Sequence, residues 1–125
     1  MLQERAIIKV ADNTGEKVVR CFRVLGGSRK RYAHLGDIII ASVQVAEPRT
    51  RNKLVKKKDI VKGVVVRVRN TTKRADGSYI RFDDNAVVLI DEKEKPRGTR
   101  VFGPIPKEIK EKGFEEITQM AEEIV

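Results

Sequence analysis

A small, mainly β fold, most simply a closed β-barrel, is what these 125 residues predict. Three features predict it: the apolar runs are short and rich in β-branched residues, Gly/Asp/Asn turns separate them, and no helix-length pattern lies between them before Asp91. Closure would also remove the adhesive edges that so many β-branched runs create. A chain of this length buries roughly two thirds of its unfolded surface, enough for one core, so we expect a single domain. Residues 1–91 should form the barrel and its hairpins, and residues 92–125 a C-terminal loop with short helices.

Taken in order, Arg5 to Ala11 (RAIIKVA) is a strand, and Asp12-Asn13-Thr14-Gly15 supplies a turn that leads into a hairpin. Lys17 to Leu25 (KVVRCFRVL) mixes apolar and basic positions as a half-exposed strand does, and Gly26-Gly27 ends it. The basic loop Ser28 to Tyr32 follows; its glycine entry lets amides turn toward an anion, although it lacks nucleotide-loop spacing. Ile38 to Ala46 (IIIASVQVA) is too β-branched for a comfortable helix and reads as a buried strand, closed by Pro48. Ile60 to Arg69 (IVKGVVVRVR) ends with Val66 and Val68 alternating with Arg67 and Arg69. Period two predicts the valines on the core face and both guanidinium groups aimed outward from a rigid element. Asp76-Gly77 is a hairpin dipeptide, Tyr79 to Phe82 returns from it, and Asp83-Asp84-Asn85 turns the chain into the strand Ala86 to Asp91. Glu92 to Arg100 reads as an extended loop. Pro106 suits a first helical position and Gly113 the residue past a helix end. Beyond it, Phe114, Ile117, Met120, Ala121 and Ile124 have helical spacing, opposite an acidic face of Glu115, Glu116, Glu122 and Glu123.

Charge is concentrated in one stretch. Arg49 to Arg74 holds eleven Lys or Arg and one acidic residue, Asp59, so it carries 11 − 1 = +10 against +9 for the whole chain. Solubility alone needs no such localisation, and a polyanion-facing surface does. The candidate RNA contacts are Arg29, Lys30, Arg31 and Tyr32 in the first basic loop, Arg49, Arg51, Lys53, Lys56, Lys57 and Lys58 in the second, and Arg67, Arg69, Lys73, Arg74 and Arg81 beyond it. With 5% aromatics and no Trp, base stacking is poorly supplied, so structured RNA read through phosphates and shape is favoured over single strands. A free oligonucleotide-binding barrel module remains the competing reading.

Other classes find little support. The only cysteine, Cys21, excludes an internal disulfide and a Cys-based zinc cluster; it suggests a reducing compartment and reads as a small buried hydrophobe. No apolar stretch suits a membrane span or a secretion signal, so a cytoplasmic protein is expected. No enzyme, cofactor or metal is expected. His34, the single histidine, shares a loop with Ser28 and Asp37 without triad spacing, and Asp83-Asp84-Asn85 is more simply a turn than a Mg²⁺ site.

The residues Gly63 to Val66, Asp76-Gly77, Phe82, Asn85 and Val88-Leu89, together with VADNTG (10–15), RVLGGS (23–28), RYAHLGDIIIA (31–41) and RGTRVFGP (97–104), carry a resemblance. The chain resembles the L-fourteen family of large-subunit ribosomal proteins, in its bacterial or organellar size class, over nearly its whole length. That resemblance implies a five-stranded barrel with a projecting β-ribbon and a C-terminal loop region with short helices. It also implies binding to large-subunit rRNA, contact with neighbouring ribosomal proteins, and a place on the intersubunit face with bridges to small-subunit rRNA. Docking of a ribosome-silencing factor is implied too, with Arg97, Gly98, Thr99 and Arg100 on the protein-partner face.

Overall fold

The computed structural model describes residues 2–3, 6–13, 16–26, 32–46 and 60–125. The strands are β1 (Leu2–Gln3), β2 (Ile7–Val10), β3 (Glu16–Val24), β4 (Tyr32–Ala33), β5 (Ile38–Ala46), β6 (Ile60–Arg67), β7 (Thr72–Lys73), β8 (Tyr79–Ile80), β9 (Ala86–Ile90), β10 (Val101–Ile105) and β11 (Ala121–Ile124). Two short helices, α1 (Glu108–Glu111) and α2 (Glu115–Met120), lie between β10 and β11.

Five strands close a barrel in the order β2-β3-β5-β6-β9. Its neighbours pair antiparallel except β2 and β9, which close it in parallel through Lys9↔Ala86 and Val10↔Val87. The barrel interior is filled by alternate residues of these strands, among them Ile8, Val19, Ile39, Val43, Val65 and Leu89, none more than 1% exposed. Cys21 lies in this interior at 0% exposure, as its place in an apolar run predicted.

A second apolar layer covers one side of the barrel. Val64, Val66, Val88 and Ile90 face outward there and are buried under Val101, Ile105, Ile109, Phe114 and Ile117 from the C-terminal segment. All five residues of β9 are therefore buried, which is why AVVLI shows no alternation: neither of its faces meets water.

The sequence reading of β6 needs correction for the same reason. The β6–β9 register slips between Val65 and Arg67, so Val66 is an extra residue, and it and Arg67 both leave the barrel interior. Val68 alone of the two alternating valines packs inside, while Val66 belongs to the second layer. Arg67 leaves the interior as period two predicted, yet the C-terminal layer covers it and it is only 8% exposed.

The C-terminal region holds another difference. The helical spacing beyond Phe114 ends at Met120, and Ala121–Ile124 is a strand pairing in parallel with β10. Backbone pairing with β10 outweighs the weak helical pattern, and Ile124, expected on a packed helix face, is 51% exposed. Gly113, with φ of +98°, follows α1 as expected, and Pro106 sits before its first turn, accepting from the Ile109 amide. Between β6 and β9 the strands β7 and β8 form a separate two-stranded ribbon around Gly77, whose φ of +89° suits its turn.

Candidate nucleic-acid interface

Arg29, Lys30, Arg31, Arg49, Arg51, Lys53, Lys56, Lys57 and Lys58 lie outside the described residues. The strands on either side of the second basic segment, β5 and β6, are antiparallel neighbours, with Ser42 opposite Ile60. Tyr32, in β4, is 44% exposed. Arg69, Lys73 and Arg81 are exposed along the chain that leaves β6 and returns to β9. The Arg69 amide donates to Asn85 Oδ1 at 2.8 Å, so its main chain is fixed while its side chain faces solvent.

Arg67, which is buried, and Arg74, which is half-buried, are both engaged by the protein itself. Arg67 Nη1 donates to the carbonyls of Phe102 (2.8 Å) and Pro104 (3.2 Å), and its Nε lies 3.0 Å from Asp84 Oδ1. That Nε contact is poorly aligned for a hydrogen bond, so it acts chiefly as an ion pair. Gly103 lets the arginine come so close: its φ is +79°, and a Cβ there would overlap Nη1. Arg74 Nε stands 3.0 Å from Glu108 Oε1, and its Nη2 donates to the Val125 carbonyl at 2.7 Å. Both arginines tie the barrel and ribbon to the C-terminal layer. Of the pair expected to aim outward, Arg69 is exposed and Arg67 is covered by the C-terminal layer, while the RNA candidate Arg74 is half-buried.

A groove of about 890 Å³ runs beside these two arginines, lined also by Lys9, Arg81, Asp83, Tyr79 and Glu123. With Arg67 and Arg74 paired to carboxylates, Lys9 and Arg81 stand against Asp83 and Glu123. Its charge nearly balances, which gives a polyanion no preference for it.

The segment Arg97 to Arg100, expected on a protein-partner face, is well held. Asn13 Oδ1 accepts from the amides of Thr99 (2.9 Å) and Arg100 (3.2 Å), and Asn13 Nδ2 donates to Thr99 Oγ1 at 2.9 Å. The Arg97 amide donates to the Leu89 carbonyl. Thr99 and Arg100 are exposed, Arg97 and Gly98 half-buried, and the Arg100 guanidinium lies 5.9 Å from the centre of the Phe102 ring. The sequence presented Asn13 only as a turn residue; its latch spans 86 positions and no local pattern announces it.

Two carboxylates that could have offered catalysis or metal binding, Asp84 and Asp91, are engaged otherwise. Asp84 pairs with Arg67, and Asp91 Oδ1 accepts from the amides of Lys93 and Lys95. The Lys95 amide above all holds the Asp91 carboxyl below its ordinary value. Among the described residues no three His, Cys, Asp or Glu side chains gather around a metal-sized space. His34 is exposed, with its amide donating to Asp37 Oδ2. No helix among the described residues is long and apolar enough to cross a membrane.

Sequence reasoning passed over four cations of the barrel wall, Lys9, Arg20, Arg23 and Lys62; the half-exposed pattern KVVRCFRVL was the signal for two of them. A basic surface on a closed barrel suits a nucleic-acid-binding protein. The sequence model of the family described as Ribosomal protein L14p/L23e matches residues 1–125, the entire chain. The chain therefore belongs to this family, whose members are structural, rRNA-binding proteins of the large ribosomal subunit.

Proposed function

We propose that this chain lies on the intersubunit face of the large subunit, with its basic loops on large-subunit rRNA. Arg97, Gly98, Thr99 and Arg100 form its protein-partner face, where a ribosome-silencing factor docks, and the chain also contacts neighbouring ribosomal proteins and small-subunit rRNA. The observation that carries this reading is the Asn13 latch: Thr99 and Arg100 are exposed yet their amides are fixed to a barrel strand's end. A surface already ordered loses little freedom on docking, which favours a protein partner. The charge of the 49–74 stretch supports the rRNA assignment of the loops.

The test expresses tagged variants and resolves subunits on a gradient, followed by a high-salt wash. The wild type is expected with the large subunit after the wash. Replacing Lys56, Lys57 and Lys58 by Ala should weaken rRNA binding with the fold intact, whereas Thr99→Ala with Arg100→Ala should spare rRNA and lose the silencing factor. Equal loss of rRNA affinity in both variants would refute the division of surfaces.

A further inference from the structure

The two sides of the barrel meet different fates. The C-terminal layer covers the outside of β6 and β9 and reaches Ile38 at the start of β5, while Ile7, Phe22 and Ile60 on the outside of β2, β3 and the start of β6 stay exposed. Register aligns this uncovered face: Ile7 lies opposite Arg20, Arg20 opposite Ser42 and Ser42 opposite Ile60, in a row roughly 14 Å wide at the usual strand spacing. A second row contains Arg23, Ile40 and Lys62. The register slip between Cys21 and Arg23 makes Phe22 an extra residue, so Phe22 and Arg23 are both exposed. Ile7 is 60%, Ile60 70% and Phe22 43% exposed, an apolar share that solvent alone does not favour.

Charge identifies the occupant. Among the described side chains, Arg20, Arg23 and Lys62 are the ionised groups of this face, and none of them forms an ion pair among the described residues. Asp91 and Glu92 approach only at the border beside Ile60 and Lys62, and Asp91 Oδ1 is occupied by two amides. Ser42 Oγ accepts from Gln44 Nε2 at 2.9 Å, which leaves its own hydrogen to donate outward. Unpaired guanidinium groups beside apolar side chains suit phosphate oxygens alternating with ribose surfaces.

We propose that this outer sheet face is a second RNA-contact surface, which takes the sugar–phosphate backbone of rRNA on Arg20 and Arg23, flanked by Lys62, with Ile7, Phe22 and Ile60 against the sugars. It rests on the rRNA-binding reading of the chain but places contacts outside the basic loops. The arginines are aimed by strands whose inner faces are core, so little ordering precedes contact.

The test compares wild type, Arg20→Ala with Arg23→Ala, the Lys56, Lys57 and Lys58 to Ala variant, and Arg20→Lys with Arg23→Lys. Each purified protein is titrated with large-subunit rRNA transcripts between about 50 and 200 mM salt. Losing two phosphate contacts should make the plot of log affinity against log salt shallower by about two, equivalent to roughly 60-fold weaker binding near 0.1 M salt. Lysines at both positions should restore most of that slope, and circular dichroism should be unchanged throughout. Unchanged affinity and slope in the double Ala variant, with weakened binding in the triple Lys variant, would overturn this face while leaving the loops intact. A salt-independent wild type would overturn both readings.

Discussion

Replacing Arg67 by Met tests whether this arginine belongs to the fold or to the RNA. Methionine keeps most of the buried stem and removes the guanidinium, leaving the carbonyls of Phe102 and Pro104 without their charged donor. A hydrogen bond to a charged group contributes about 1.5–3 kcal/mol, and the 3.2 Å bond to Pro104 belongs at the low end. The Asp84 side chain is 29% exposed and recovers water, so loss of its ion pair adds under about 1 kcal/mol. Together these give a loss of roughly 4 kcal/mol, against a total stability of about 6–19 kcal/mol for a domain this size. Urea unfolding should show a lower midpoint with an unchanged slope, and Tm should fall by on the order of 15 °C. The salt dependence of rRNA binding should stay as in wild type. A loss below about 1 kcal/mol, with a salt slope shallower by about one, would refute the reasoning and return Arg67 to the RNA.

Asp12 is 4% exposed and its Oδ2 accepts from the Leu89 amide at 2.8 Å, so Asp12→Ala orphans a buried donor and should cost about 2–3 kcal/mol in urea unfolding. Asp12→Asn, which keeps an acceptor, should cost less. Asp76 is held below its ordinary value of 3.8 by hydrogen bonds from the Ser78 hydroxyl and amide. Because the folded value is depressed, this turn's contribution is complete above the ordinary carboxylate range and is lost as pH falls through the lowered value. Carboxyl NMR titration of Ser78→Ala should move Asp76 back toward 3.8. Cys21, at 0% exposure, should resist a thiol reagent in native protein and react promptly in denaturing urea; fast native labelling would mean the barrel opens readily.

Strand positions were legible because each barrel strand's apolar run is local information: Ile38 to Ala46 was read at the bounds that β5 adopts. Coverage was not legible, since it depends on partners distant in sequence. Arg67 looked solvent-facing because period two describes one strand and knows nothing of Phe102 or Pro104, which close over it from 35 and 37 positions away. Ala121 to Ile124 looked helical because its spacing is ambiguous over so few residues, and pairing with β10 decides it. The resemblance singles out Arg97 to Arg100 as a proposed partner face, whereas the hydrogen bonds from Thr99 and Arg100 to Asn13 are visible only in the three-dimensional arrangement.

The parallel β2–β9 seam sets an order of events during synthesis. The meander β3-β5-β6 can pair hairpin by hairpin as it emerges, but β2 has no second neighbour until residues 86–90 have been made. The bond from the Leu89 amide to Asp12, across 77 positions, is therefore a late event, and the nascent barrel stands open along one side until then. The open β2 and β6 edges of that intermediate are rich in Ile and Val, and a chaperone or the rRNA itself would be best employed in this interval, before the seam shuts.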